Sequence, residues 1–168
     1  MLVMKWILVS GVALAFLMGN AMRFFKRDEF GGWYESMSAD LLLKLDDFRS
    51  RWGAPVVVSS APGGVGRNDG PEGTSQHNVD QWGEVRAVDV FPMVRGEGGR
   101  LVYMNSAEDR ARAVRIAQEV GFTGIGVYTD TGPGNMVHLD VRIDRNAIDP
   151  ALWARVSGQY VGIDRGLA

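Results

Sequence analysis

Hydrophobic positions along the chain change period from block to block, and each block predicts an element. Between residues 38 and 52 the apolar Leu41, Leu42, Leu45, Phe48 and Trp52 recur at helical spacing, with Ser38 placed as a cap and Gly53 as a stop. Residues 55–60 hold three consecutive valines between turn formers, which predicts a short buried strand. Residues 61–73 are rich in Gly, Pro, Asn and Asp and predict a long loop. Residues 85–91 suit a strand that puts Ala87 and Asp89 on one face and Val88 and Val90 on the other. A second helix is predicted over 106–120, capped by Ser106 with Asp109 and ended by Gly121. Strands are expected near 124–128 and 136–142, joined by Thr131-Gly132-Pro133-Gly134, and a further helix near 150–156. Helices and strands without regular alternation predict an α+β domain, a small antiparallel sheet with flanking helices.

Residues 6–22 break this pattern, being uncharged and almost wholly apolar behind Lys5. As a helix they would reach about 25 Å, short of the roughly 30 Å hydrocarbon core. Gly19 and Ala21 suit cleavage after Ala21, whereas Arg23, Lys26 and Arg27 oppose translocation of that flank. Residues 1–22 are therefore expected to be a signal peptide or membrane anchor, with membrane contact through 6–22, and residues 23–168 the folded domain. That domain is expected to be exported to the periplasm or cell envelope, or held at the membrane.

Composition narrows the chemistry. The 168 residues, 46% hydrophobic, suffice for one core. A net charge of -2 gives no field to gather nucleic acid, and none is expected as a partner. The lack of cysteine excludes disulfides, thiolate catalysis and thiolate metal sites, so any metal must be held by His and carboxylate. Gly63-Gly64-Val65-Gly66 lacks the Lys-Ser/Thr of a phosphate loop and reads as flexible chain. Arg110, Arg112 and Arg115, interleaved with Glu108, Asp109 and Glu119, predict a solvated helix face. Tryptophans default to core packing, except Trp82, which lies close to His77 in sequence.

The chain has two histidines, His77 and His138, both in polar surroundings at a strand or loop edge. Asp89 follows His77 by twelve positions. Two His and one Asp make a three-ligand zinc site, which leaves a fourth position for water and points to hydrolysis. On a strand His138 and Asp140 face the same way, so Asp140 would orient a ligand or act as the base.

Four segments in order, Ser75-x-His77, Ala87-Val88-Asp89, Gly124-Ile125-Gly126-Val127-Tyr128 and Val137-His138-Leu139-Asp140-Val141-Arg142, resemble the zinc D-alanyl-D-alanine carboxypeptidase family. Phe24 to Phe30 and the helix with Leu42, Leu45 and Arg49 resemble the start of its peptidoglycan-directed bacterial and phage branch. The likeness runs from about residue 23 to residue 142. It implies the fold shared with the hedgehog signalling domain, zinc held by His77, Asp89 and His138, and cleavage of stem or cross-link peptides of peptidoglycan. Such a protein would be a carboxypeptidase or an endolysin-type endopeptidase, monomeric or part of a phage virion.

The chain departs from that pattern in three places. His77 and Asp89 are further apart than the corresponding family residues, as if residues 80–84 were inserted. Asn135 stands where many members carry an acidic base, so the role falls to Asp140, Asp130 or Glu84. An Arg often follows the first strand to hold a substrate carboxylate; here Arg67, in the loop, would replace it. Ser75, Trp82 and Tyr128 are the other expected substrate contacts. The competing expectation is a non-catalytic zinc module that binds wall peptides or builds a phage particle.

Overall fold

The computed structural model describes residues 22–168. Among them, no helix is long and apolar enough to cross a membrane. The apolar segment expected at 6–22 lies, apart from Met22, outside the described residues.

A broken 3-10 segment, Arg27–Ser36, leads into helix α1 (Ala39–Trp52), which ends on Gly53 in the left-handed region at φ 73°. Strand β1 (Val56–Val58) follows, then a long loop, the single-turn helix α2 (Val79–Trp82) and strand β2 (Ala87–Arg95). Strand β3 (Leu101–Tyr103), helix α3 (Ala107–Val120), β4 (Gly124–Tyr128) and β5 (Met136–Asp140) come next. The chain closes with β6 (Ala151–Val156), β7 (Gln159–Val161) and α4 (Ile163–Leu167). Ser106 caps α3 by accepting a hydrogen bond from the Asp109 backbone, as expected from the sequence.

The seven strands form one sheet of order β1-β2-β5-β4-β6-β7, with β3 paired to the far part of β2. The architecture is α+β, but the sheet is mixed: β6 runs parallel to β4 while every other pairing is antiparallel. The helix expected near 150–156 is this strand. Pairing with β4, rather than any local period, decides its state.

The two faces differ. Val88 opposite Leu139, Val90 opposite Val137, and Ile125 and Val127 beside them are fully buried in one core with Leu41, Leu45 and Phe48 of α1 and Ala113 and Ala117 of α3. Side-chain alternation then commits Ala87, Asp89, His138, Asp140, Gly124, Gly126 and Trp153 to the other face. Arg110 does not belong to a solvated surface. It is buried, and its guanidinium donates to the backbone carbonyls of Asn105, Gly166 and Ala168 and to the Asn135 side chain, fastening the C-terminal turn to α3. Arg112 lies over the Trp52 ring and donates to its carbonyl, so it too packs back onto the core.

Candidate metal centre

A single row of residues crosses the sheet face opposite the one that packs on α1 and α3. Asp89 on β2 is opposite His138 on β5, His138 is opposite Gly126 on β4, and Gly126 is opposite Trp153 on β6. Two residues along, Ala87, Asp140, Gly124 and Ala151 form a second row. The glycines belong to the geometry. A Cβ on Gly126 would lie 2.5 Å from the Trp153 ring, and one on Gly124 would collide with the Asp140 carboxylate. Their absence lets the indole and the carboxylate lean inward beside His138.

His77 reaches this row from the loop between β1 and β2. The loop is organised on Asn78, whose fully buried amide donates to the carbonyls of Gly70 and Gly73, both at 2.7 Å, and accepts from the backbone of Asp69 and Asp80. Residues 80–84, read above as an insertion, complete α2 and its left-handed stop at Gly83. The turn takes up the extra length and returns the chain to β2, where Arg86 donates to the Gln76 carbonyl. His77 thus folds back onto Asp89 despite the longer spacing.

Three ligand atoms converge. His138 Nδ1 lies 3.0 Å from Asp89 Oδ1, His77 Nε2 lies 3.2 Å from His138 Nδ1, and His77 Nε2 lies 3.5 Å from Asp89 Oδ1. His77, Asp89 and His138 are thus a group that can hold a metal ion. The outward nitrogen of each ring has its own acceptor: His77 Nδ1 is 2.7 Å from the Val65 carbonyl, and His138 Nε2 is 2.9 Å from Asp140 Oδ2. Protons held there leave the lone pairs of His77 Nε2 and His138 Nδ1 for a ligand.

Electrostatics follow from this packing. Burial pushes the Asp89 carboxyl up, but hydrogen bonds from His138 and His77 outweigh it and hold the group below the usual carboxylate range. Burial pushes the His138 imidazole down, yet its bonds to Asp140 and Asp89 raise it to about 9. Asp140, burial notwithstanding, is held low by Arg142 and His138. The Tyr128 phenol is pushed up, chiefly by burial, so it stays protonated.

A cleft of about 350 Å³ opens beside His138, lined by Ser75, Gln76, Tyr128, Trp153 and Tyr160, with Arg142 at its edge. Of the expected substrate contacts, Ser75 and Tyr128 therefore lie in the cleft. Trp82 does not line it; its indole N–H donates to the Ser75 carbonyl at 2.8 Å and its ring lies under the Arg86 guanidinium. Arg67 faces Asp69 at 3.5 Å, and its backbone N–H donates to the His77 carbonyl.

The carboxylates expected as bases are placed differently from one another. Asp140 has no exposed surface and touches His138 and Arg142. Asp130 accepts from the Gly158 backbone in the β6–β7 turn and faces Arg155 at 3.7 Å. Glu84 accepts from Arg86 at 3.0 Å and is partly exposed. Asn135 is buried, bridging Arg110 and the Thr129 carbonyl.

The sequence assigns no role to Tyr160 or Arg142 and puts Trp153 in the core, whereas all three line the cleft. Trp153 packs against the His138 ring with centroids 5.1 Å apart. Alternate glycines at 124 and 126 in an otherwise apolar strand were the signal that something approaches its backbone. Comparison with protein-family models, with curated proteins and with solved structures found no match.

Proposed function

We propose that the protein is a zinc-dependent hydrolase of peptide bonds in peptidoglycan stem or cross-link peptides. The observation that carries this reading is the spacing of the three ligand atoms, at 3.0, 3.2 and 3.5 Å. Ligands at 2.0–2.1 Å around a tetrahedral zinc are separated by about 3.3 Å, so the donor set fits that ion closely. His nitrogen and carboxylate oxygen are also its usual donors in the absence of thiolate. Three protein ligands beside an open cleft are the pattern of a catalytic rather than a closed structural site. Bound there, zinc would polarise a carbonyl and bring the pKa of water towards neutrality.

The chain's own residues supply the rest. His77, Asp89 and His138 hold the ion, while Ser75, Gln76, Tyr128 and Tyr160 border the substrate. Asp140 is committed to His138 and Arg142, Asp130 to the β6–β7 turn and Glu84 to Arg86; Glu84 is the most exposed of the three and so the one whose pairing is most easily exchanged for proton transfer. The substrate class and the hedgehog-type fold rest on the resemblance of the four ordered segments.

A second reading, a zinc-holding module without catalysis that binds wall peptides or serves in a phage particle, draws on one observation: Asn135 cannot take a proton and is locked to Arg110. One experiment separates the two. Purified full-length protein loaded with zinc is incubated with peptidoglycan sacculi, and soluble products are read by mass spectrometry. Release of stem or cross-link peptides, abolished by chelator and restored by zinc, is expected. Tight zinc binding without release would leave the non-catalytic module standing.

A further inference from the structure

A histidine that offers Nδ1 to a metal must keep its proton on Nε2 and hold its ring in one plane. For His138 both conditions fall on Asp140, whose Oδ2 lies 2.9 Å from Nε2. A carboxylate with no exposed surface cannot meet them alone, because an uncompensated buried charge takes up a proton or turns towards another partner. Arg142 removes that freedom. Its Nε lies 2.9 Å from Asp140 Oδ1, its Nη2 2.6 Å from Oδ2, and its backbone N–H 3.1 Å from Oδ1. This two-pronged fork fixes the plane of the carboxylate.

The fork is held in turn. The Arg142 guanidinium lies over the Trp153 ring, 5.1 Å from its centroid, and Trp153 packs against His138. The contacts close a circuit from Arg142 through Asp140, His138 and Trp153 back to Arg142. Gly124 and Gly126 provide the space in which it closes.

We propose that Asp140 and Arg142 are positioning residues for the metal ligand His138, with Arg142 acting through Asp140. This rests on the metal-binding part of the function proposed above and is independent of whether peptide bonds are cleaved. Asp140 is then neither a fourth ligand nor the base, and Arg142 tunes the centre from the edge of the cleft without touching the ion.

The test measures zinc affinity of the full-length protein by chelator competition, with the visible spectrum of the cobalt-substituted protein as a second readout. Asp140→Asn and Arg142→Gln should each weaken zinc binding about 10–100-fold and alter the cobalt spectrum. Arg142→Lys, which keeps the charge and loses the fork, should fall between Arg142→Gln and the native protein. The double variant should bind no more weakly than Asp140→Asn alone, since two residues in one chain of action are not additive. A merely structural role would lower the melting temperature and leave the affinity of the folded protein untouched. Native affinity and spectrum in Arg142→Gln, or additive losses in the double variant, would overturn the proposal while leaving the metal site intact. If Asp140→Asn fails to fold, the two Arg142 variants decide the matter. Failure of the native chain to bind zinc would overturn this proposal and the proposed function together.

Discussion

His77 Nε2 lies 3.2 Å from His138 Nδ1 across a separation of 61 residues, and the other nitrogen of each ring is already engaged, by the Val65 carbonyl and by Asp140. Two lone pairs facing each other beside the Asp89 carboxylate need a cation between them, either a proton or a metal. This juxtaposition is the structural basis of the first prediction. Zinc at about a thousand times its dissociation constant should stabilise the fold by about 4 kcal/mol, visible as a raised melting temperature that chelator reverses. His138→Ala and His77→Ala should lose the shift. A zinc-dependent rise of native size in either variant would place the ion elsewhere.

Metal binding should also release a proton. Without metal, His138 titrates near 9 and at pH 7 carries protons on both nitrogens, one towards Asp89 and one towards Asp140. Zinc replaces the proton on Nδ1. Affinity should therefore rise about tenfold per pH unit through neutrality and level off above pH 9. Calorimetry in buffers of different ionisation enthalpy measures the released proton directly. The metal-free protein should show the opposite trend. A pKa raised from 6.5 contributes stability that is fully present below 6.5 and is lost as pH rises through about 9. Its melting temperature should fall over that window once zinc is chelated.

Much of this centre is legible in the sequence because strand alternation is a local rule. Asp89 and Ala87 share a face, His138 and Asp140 share another, and antiparallel pairing makes the two faces one. What is not legible depends on partners far along the chain. The segment Ala-Leu-Trp-Ala-Arg-Val has no period that distinguishes helix from strand; parallel pairing with β4 makes it β6 and swings Trp153 over Gly126. Arg110 looks solvated beside Glu108 and Asp109, yet its acceptors are carbonyls at the other end of the chain and the buried Asn135. The long spacing from His77 to Asp89 reads as an obstacle only until Val79–Trp82 is seen to be a helical turn.

The glycine at 126 gives a packing prediction. Adding a Cβ there would put it 2.5 Å from Trp153 Cε2 and 2.6 Å from Nε1, so the indole must move away from His138. Gly126→Ala should destabilise the protein by about 1–3 kcal/mol, the usual range for an overpacked contact, and reduce zinc affinity with it. Urea denaturation of the metal-free protein isolates the first effect. If Gly126→Ala is as stable as the native chain, the close approach of Trp153 to the sheet is wrong.

Asn78 carries the last prediction because it fixes His77 without touching the metal. Its amide satisfies four backbone groups, the carbonyls of Gly70 and Gly73 and the N–H groups of Asp69 and Asp80. Asn78→Ala strands whichever of them stay buried, at about 1–3 kcal/mol each. Asn78→Asp keeps the acceptor but turns both donors into repulsion against carbonyl oxygens, so it should be no better tolerated. Asp89 and His138 are paired within the sheet and do not depend on the loop. Zinc should therefore bind weakly through two residues, with the loss in affinity approaching that of His77→Ala. Chelator competition on the folded variants measures this. Native affinity in Asn78→Ala would mean that His77 is held in place by its own bonds to Val65 and Arg67 rather than by Asn78.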